Sequence, residues 1–128
     1  MSNNAILLVA RIFLAIIFIF SGFGKLAGIS QTAGYFASLG IPMATAAAVI
    51  VGLFELIAGL AVLVGFQTRL AAWGLAVFSV LSALIAHMNW ADMMQMIQFQ
   101  KNLALAGGFL ALAVAGPGTL SVEGRSSP

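Results

Sequence analysis

The residues able to do chemistry in this chain are few, and each stands in an almost wholly apolar context. Glu55 lies inside an apolar run, twelve residues after Met43 and eleven before Phe66. At about 1.5 Å per helical residue, it sits near the middle of a membrane-spanning helix. An acid at that depth is paired with a base or kept protonated, and in either state it can carry a proton or hydrogen-bond a ligand. The alternative is purely structural, a polar contact that fixes helix packing. Gly52 and Gly59 lie three before and four after it, on the same helical face. Their small size lets another helix or a ligand approach the carboxylate.

Two basic residues lie on the first apolar run. Arg11, Phe18, Gly22 and Lys25 are separated by seven, four and three, so they form one helical stripe facing the bundle interior. Arg11 either reaches inward to pair with Glu55 or snorkels to the near membrane edge; Lys25, at the span end, is expected to snorkel. Gly22 and, in the last run, Gly108 are candidate positions for close helix packing with Gly52 and Gly59.

His87 is the sole histidine and closes the third run. Lys101 and Asn102 open the last, with Gln98 three residues before Lys101. Arg11, His87 and Lys101 are donors and Glu55 a proton carrier. With Lys25 they form the candidate ligand-binding or proton-handling set. Setting His87 aside, three deep cations face one carboxylate. That excess suits an anionic or carbonyl-bearing ligand such as a lipid head group or a quinone. The bland reading lets both lysines reach water.

No haem is expected, because one histidine is a poor axial set. The cluster Met88, Met93, Met94 and Met96 has soft thioethers that suit Cu(I), but it reads as flexible apolar filler, so no metal is expected. With no cysteine, disulfides, thiolate nucleophiles and thiolate metal sites are excluded. No hydrolytic triad, phosphate-binding loop or zinc motif appears, so no self-contained catalytic set is assigned. The basic residues are scattered singly, which leaves no nucleic-acid arm.

These residues must be positioned by helices in lipid. Of the 128 residues 62% are hydrophobic and 6% charged, against about 25% charged in a soluble domain. Mean hydropathy is +1.14. The expected fold is therefore an all-α integral membrane protein, a four-transmembrane-helix bundle with short interfacial segments. A single domain over 1–128 is expected, with spans at about 5–27, 43–66, 69–88 and 97–116 and a polar tail over 117–128 that frays. Each of the first three runs is long enough to cross a bilayer. The fourth is either an interfacial turn followed by a short span or one long polar-faced helix, and the second fits the spacing better. The five residues from Gly65 to Arg69 make the second and third spans antiparallel neighbours. Tyr35 and Trp90 belong at the interface. Arg11, Arg69 and Arg125 on one side against Lys25 and Lys101 on the other favour both termini in the cytoplasm.

Several segments together resemble the DoxX family: Arg11-Ile12-Phe13-Leu14, then Phe20-Ser21-Gly22-Phe23-Gly24-Lys25-Leu26. They continue with Gly52-Leu53-Phe54-Glu55-Leu56-Ile57-Ala58-Gly59, then Gly65-Phe66-Gln67-Thr68-Arg69-Leu70-Ala71-Ala72. The last is Gln100-Lys101-Asn102-Leu103-Ala104-Leu105-Ala106-Gly107-Gly108. The resemblance runs from Arg11 to about Pro117. It implies a multi-pass protein of the bacterial inner (cytoplasmic) membrane. It also implies a quinone-binding or redox-associated subunit, accessory to a membrane oxidoreductase, with a soluble or membrane redox partner. The alternative is a non-catalytic scaffold, assembly factor or lipid-binding module. In either case the bilayer is a partner, and a homo-oligomer is compatible with both.

Overall fold

The structure is a computed structural model describing residues 1–126, with side chains described to residue 124. It is all helical among those residues. The helices are α1 (Asn3–Ala27), α2 (Ile29–Ser38), α3 (Ala44–Val64), α4 (Thr68–Ala86), α5 (Met93–Ala115) and α6 (Val122–Ser126). Three of them, α1, α3 and α4, are long and apolar enough to cross a membrane. α5 is of similar length and packs along α4 as the fourth rod, but its first half carries Gln95, Gln98, Gln100, Lys101 and Asn102. It begins earlier than the 97 expected from hydropathy, because Asp92 accepts a hydrogen bond from Met94 N at 3.0 Å and starts the helix there.

The chain runs up α1, turns at Gly28 into the short α2, then descends α3, ascends α4 and descends α5. Both termini thus lie at one end. The α3–α4 joint is tight: Gly65 and Gln67 have φ of 75° and 47°. Gly65 is needed there twice over. Its left-handed φ favours a residue without Cβ, and an added Cβ would collide with Arg11 Nη1 and Ser121 Cβ.

The bundle is solid at the terminus-bearing end and hollow at the other. The core joins Ala15 and Phe18 of α1, Ala58 and Val62 of α3, Ala72, Leu75 and Ala76 of α4, and Ala106, Phe109, Leu112 and Ala113 of α5. Alanines dominate it, which lets helix backbones approach closely where lipid supplies no hydrophobic drive for association. The tightest approach joins α1 to α3. A Cβ on Gly22 would lie 2.6 Å from Leu56 N and 2.7 Å from Gly52 O. Gly52 meets Leu26 and Lys25, Gly59 meets Ile19 and Phe18, and Gly108 meets Leu14.

The expectation of a frayed tail is overturned. Thr119 N donates to Asn4 Oδ1 at 3.1 Å, Ser121 is 8% exposed, and Glu123 N donates to Gly65 O at 3.0 Å. Backbone donors and acceptors left open at the α3–α4 joint give the segment partners that its composition does not advertise. The Arg125 side chain and residues 127–128, which belong to the same expected tail, lie outside the described residues.

Gly22→Ala should destabilise the protein by about 1–3 kcal/mol, because the methyl group has no space against the α3 backbone. Gly24→Ala, with nothing within 4 Å of the added carbon, should leave stability nearly unchanged. Thermal unfolding in detergent, followed by size exclusion, compares the two; equal midpoints would contradict the close approach.

Candidate functional site

The hollow end contains a cavity of ≈ 490 Å³ that all four long helices and α2 line. Its lower wall is aromatic. Phe18 and Phe78 face it edge to face at 6.2 Å, and Phe109 supports Phe18 from below at 5.5 Å. The apolar wall continues through Ile17, Val51, Leu81, Ile85 and Leu105. Tyr35 and Phe36 of α2, with Leu39 and Ile41 beyond it, close the side next to α3. Such a hollow needs a break in dense helix packing. The α1–α2 turn at Gly28 supplies it, by carrying the chain sideways before α3 begins.

Into this apolar space project the polar groups. Lys25 Nζ lies 2.6 Å from Glu55 Oε1 and donates to Ser21 Oγ at 2.7 Å. Glu55 is 2% exposed, so its charge requires that partner. From α5, Lys101 Nζ donates to Gln98 Oε1, and Asn102 Nδ2 donates to Ser82 Oγ at 3.0 Å. Ser82 and Ser79 in turn donate to carbonyls of their own helix, at 3.2 and 2.7 Å. The polar residues in the first half of α5 are explained by this: Gln98, Lys101 and Asn102 all line the cavity.

His87 lies just past the end of α4, where its backbone N caps onto Ala83 O. Burial first, and the Lys101 charge second, hold its imidazole below the usual histidine range. It is therefore neutral at pH 7, with one nitrogen as donor and one as acceptor. Trp90 Nε1 donates to His87 O at 3.1 Å, and the indole packs on Phe99, which fixes this corner of the site.

Four of the five residues singled out for ligand binding or proton handling therefore line one cavity: Glu55, Lys25, His87 and Lys101. Arg11 does not. It lies fourteen residues before Lys25, roughly 21 Å along the helix. That separation forbids the Arg11–Glu55 pair, one of the two readings open for Arg11, and Lys25 stands beside Glu55 instead of snorkelling outward as expected. Arg11 is fully buried at the opposite end, where Nη2 donates to Leu120 O at 2.5 Å and the charge of Glu123 acts on it. Among the described residues its Nε and Nη1 have no hydrogen-bond acceptor. Glu123 Oε1 also accepts from Thr68 N at 2.5 Å, capping α4. Arg11 is thus the inner anchor of the C-terminal segment.

Sequence reasoning also missed Ser21, Ser79, Ser82 and the α2 wall. Ser21 was legible in principle, being four residues before Lys25 on the same helical face. The serines of α4 carry no such signal, because a serine that bonds its own helix backbone is common in spans. Among the described residues, no group of three His, Asp or Glu side chains converges as a metal site requires.

Against known proteins, the model of the DoxX family matches residues 6–88. The chain is 43% identical over 116 residues to inner membrane protein YqjF of Escherichia coli (strain K12), covering 91% of this chain and 88% of that one. It is 41% identical over 130 residues to inner membrane protein YphA of the same organism, covering 97% and 92%. No solved structure matches. The chain belongs to the DoxX family. The family match ends at Met88, so beyond it the likeness of α5 rests on these relatives.

Arg11→Leu should release the C-terminal segment. Hydrogen exchange should rise at residues 119–124, with a stability loss of about 1–3 kcal/mol for the lost charge-assisted bond, while the middle of α4 stays protected. Unchanged exchange at 119–124 would show that Arg11 does not hold the segment.

Proposed function

We propose, with DoxX membership as the premise, that this inner membrane protein is a binding subunit for a lipid-soluble molecule with an oxygen-bearing head. A quinone is the redox-relevant member of that class. One observation carries the reading: a cavity of ≈ 490 Å³, apolar on most of its wall, gathers donors from Lys101, Asn102 and His87 beside a Lys25–Glu55 pair. That volume lies within the range of about 300–1,000 Å³ common for small-molecule sites, and a few convergent polar groups in an apolar hollow are their usual form.

The residues fit such a guest on chemical grounds. A quinone head offers acceptors only, and the ammonium of Lys101 is a donor only. When bound, the group would supply two-electron carrier chemistry. The chain's own part is to bind and orient it, to exclude water with Phe18, Phe36 and Phe78, and to take up a proton at the Glu55 carboxylate. In this reading a separate partner protein brings the electrons. We orient the terminus-bearing end toward the cytoplasm, following the arginine-rich side.

A second reading is a non-catalytic lipid-binding or assembly module. The Lys25–Glu55 pair favours it, because a buried acid held beside a base can serve structure without any ligand.

Mass spectrometry of lipophilic molecules extracted from protein purified in mild detergent separates the two. Wild type should retain about one quinone per chain, and Glu55→Gln, checked for a monodisperse folded peak, should lose most of it. Bulk phospholipid alone in both samples would leave the module reading standing.

A further inference from the structure

We propose that the same cavity also accepts an acidic single-chain lipid, a long-chain carboxylate, and prefers it to the neutral alcohol of the same chain. The inference rests on the cavity being a ligand site, and it sharpens what that ligand carries at its head.

The wall of the cavity carries few charges, and most of them are neutralised. Lys25 and Glu55 neutralise each other at 2.6 Å. His87 is neutral at pH 7, because burial and the neighbouring Lys101 disfavour its cation. Tyr35 lines the same wall with a phenol. Asp92 does not line the cavity; it is exposed and occupied in capping Met94 N. What remains is Lys101, a cation facing the cavity whose side chain is held only by the neutral amide oxygen of Gln98. Among the described residues no carboxylate forms an ion pair with it.

A cation in an apolar hollow is costly unless an anion or water meets it. A neutral amide compensates only part of that cost, whereas a carboxylate forms the shorter and stronger charge-assisted bond. The remaining wall dictates the rest of the guest. Ile17, Phe36, Leu81, Ile85 and Leu105 present hydrocarbon, so an inorganic anion would leave most of the cavity unfilled. An oxyanion at the end of an apolar chain satisfies both halves. Asn102, tied to Ser82, lies next to Lys101 in sequence and lines the same cavity, adding a fixed amide at the polar end.

The test is a titration by native mass spectrometry in uncharged detergent at about pH 8, where a fatty carboxylate is ionised. Palmitate and hexadecanol are compared on wild type, Lys101→Gln and Lys101→Arg, so that partition into micelles cancels between variants. Wild type should bind palmitate about tenfold or more tightly than hexadecanol. Lys101→Gln should abolish that preference with little change for hexadecanol, and Lys101→Arg should keep it. Should Lys101→Gln fail to fold, an arginine variant that folds and lacks the preference overturns the proposal equally. Equal binding of the two lipids to wild type, or a preference that survives Lys101→Gln, also overturns it. Decyl-ubiquinone serves as the third probe. If it alone binds, this inference falls and the ligand-site reading stands; if none of the three binds, both fall.

Discussion

A charge in hydrocarbon must be met by another charge or a strong hydrogen bond, and the structure depends on how Glu55 meets that demand. Lys25 supplies the partner at 2.6 Å, with Ser21 holding the ammonium from the other side. Breaking such a buried pair by removing one partner costs about 3–5 kcal/mol, because the other charge is then stranded. The pair thus fixes the vertical register of α1 against α3. The glycine contact between Gly22 and Gly52 brings the backbones close enough for it to form. One interaction is polar and the other steric, and each requires the other.

The opposite end solves a second charge problem by different means. Arg11 is fully buried, and the chain brings its own C-terminal segment back to meet it through Leu120 O and Glu123. The same segment caps α4 through Glu123 and closes the space beside Gly65. The protein is therefore sealed at the end that carries its termini, where the alanine-rich core is dense. At the other end the bundle opens into a cavity lined by Glu55, Lys25, His87 and Lys101. This polarity gives the molecule a closed end and an end that holds a cavity.

Placement in the DoxX family brings location and lineage, and two relatives are named as inner membrane proteins without a stated activity. The chemistry has to be argued from the cavity. Donors on α5, an acid–base pair across α1 and α3, and an aromatic lower wall suit an amphipathic molecule better than an ion or a hydrophilic metabolite. An ion would find no ring of carboxylates, and a hydrophilic metabolite would leave the phenyl rings facing its polar groups.

Composition and periodicity alone determined that the chain is helical, that it lives in lipid, and which few residues matter. A chain with 6% charged residues cannot cover a water-facing surface, and polar groups in apolar runs are conspicuous because each is costly there. The stripe of Arg11, Gly22 and Lys25 was legible because helical period is a local property. What only the tertiary structure decided is the pairing. Arg11 and Lys25 share a face, and nothing local says which of them stands level with Glu55. That depends on the axial register of α1 against α3, where a glycine contact joins residues thirty apart in sequence. The docked tail was equally hidden, because its partners, the Asn4 and Arg11 side chains and backbone groups of the α3–α4 turn, lie far from it in sequence. The cavity itself, finally, is an absence of packing. It arises where five helices fail to fill a common space, and no single segment of the chain encodes it.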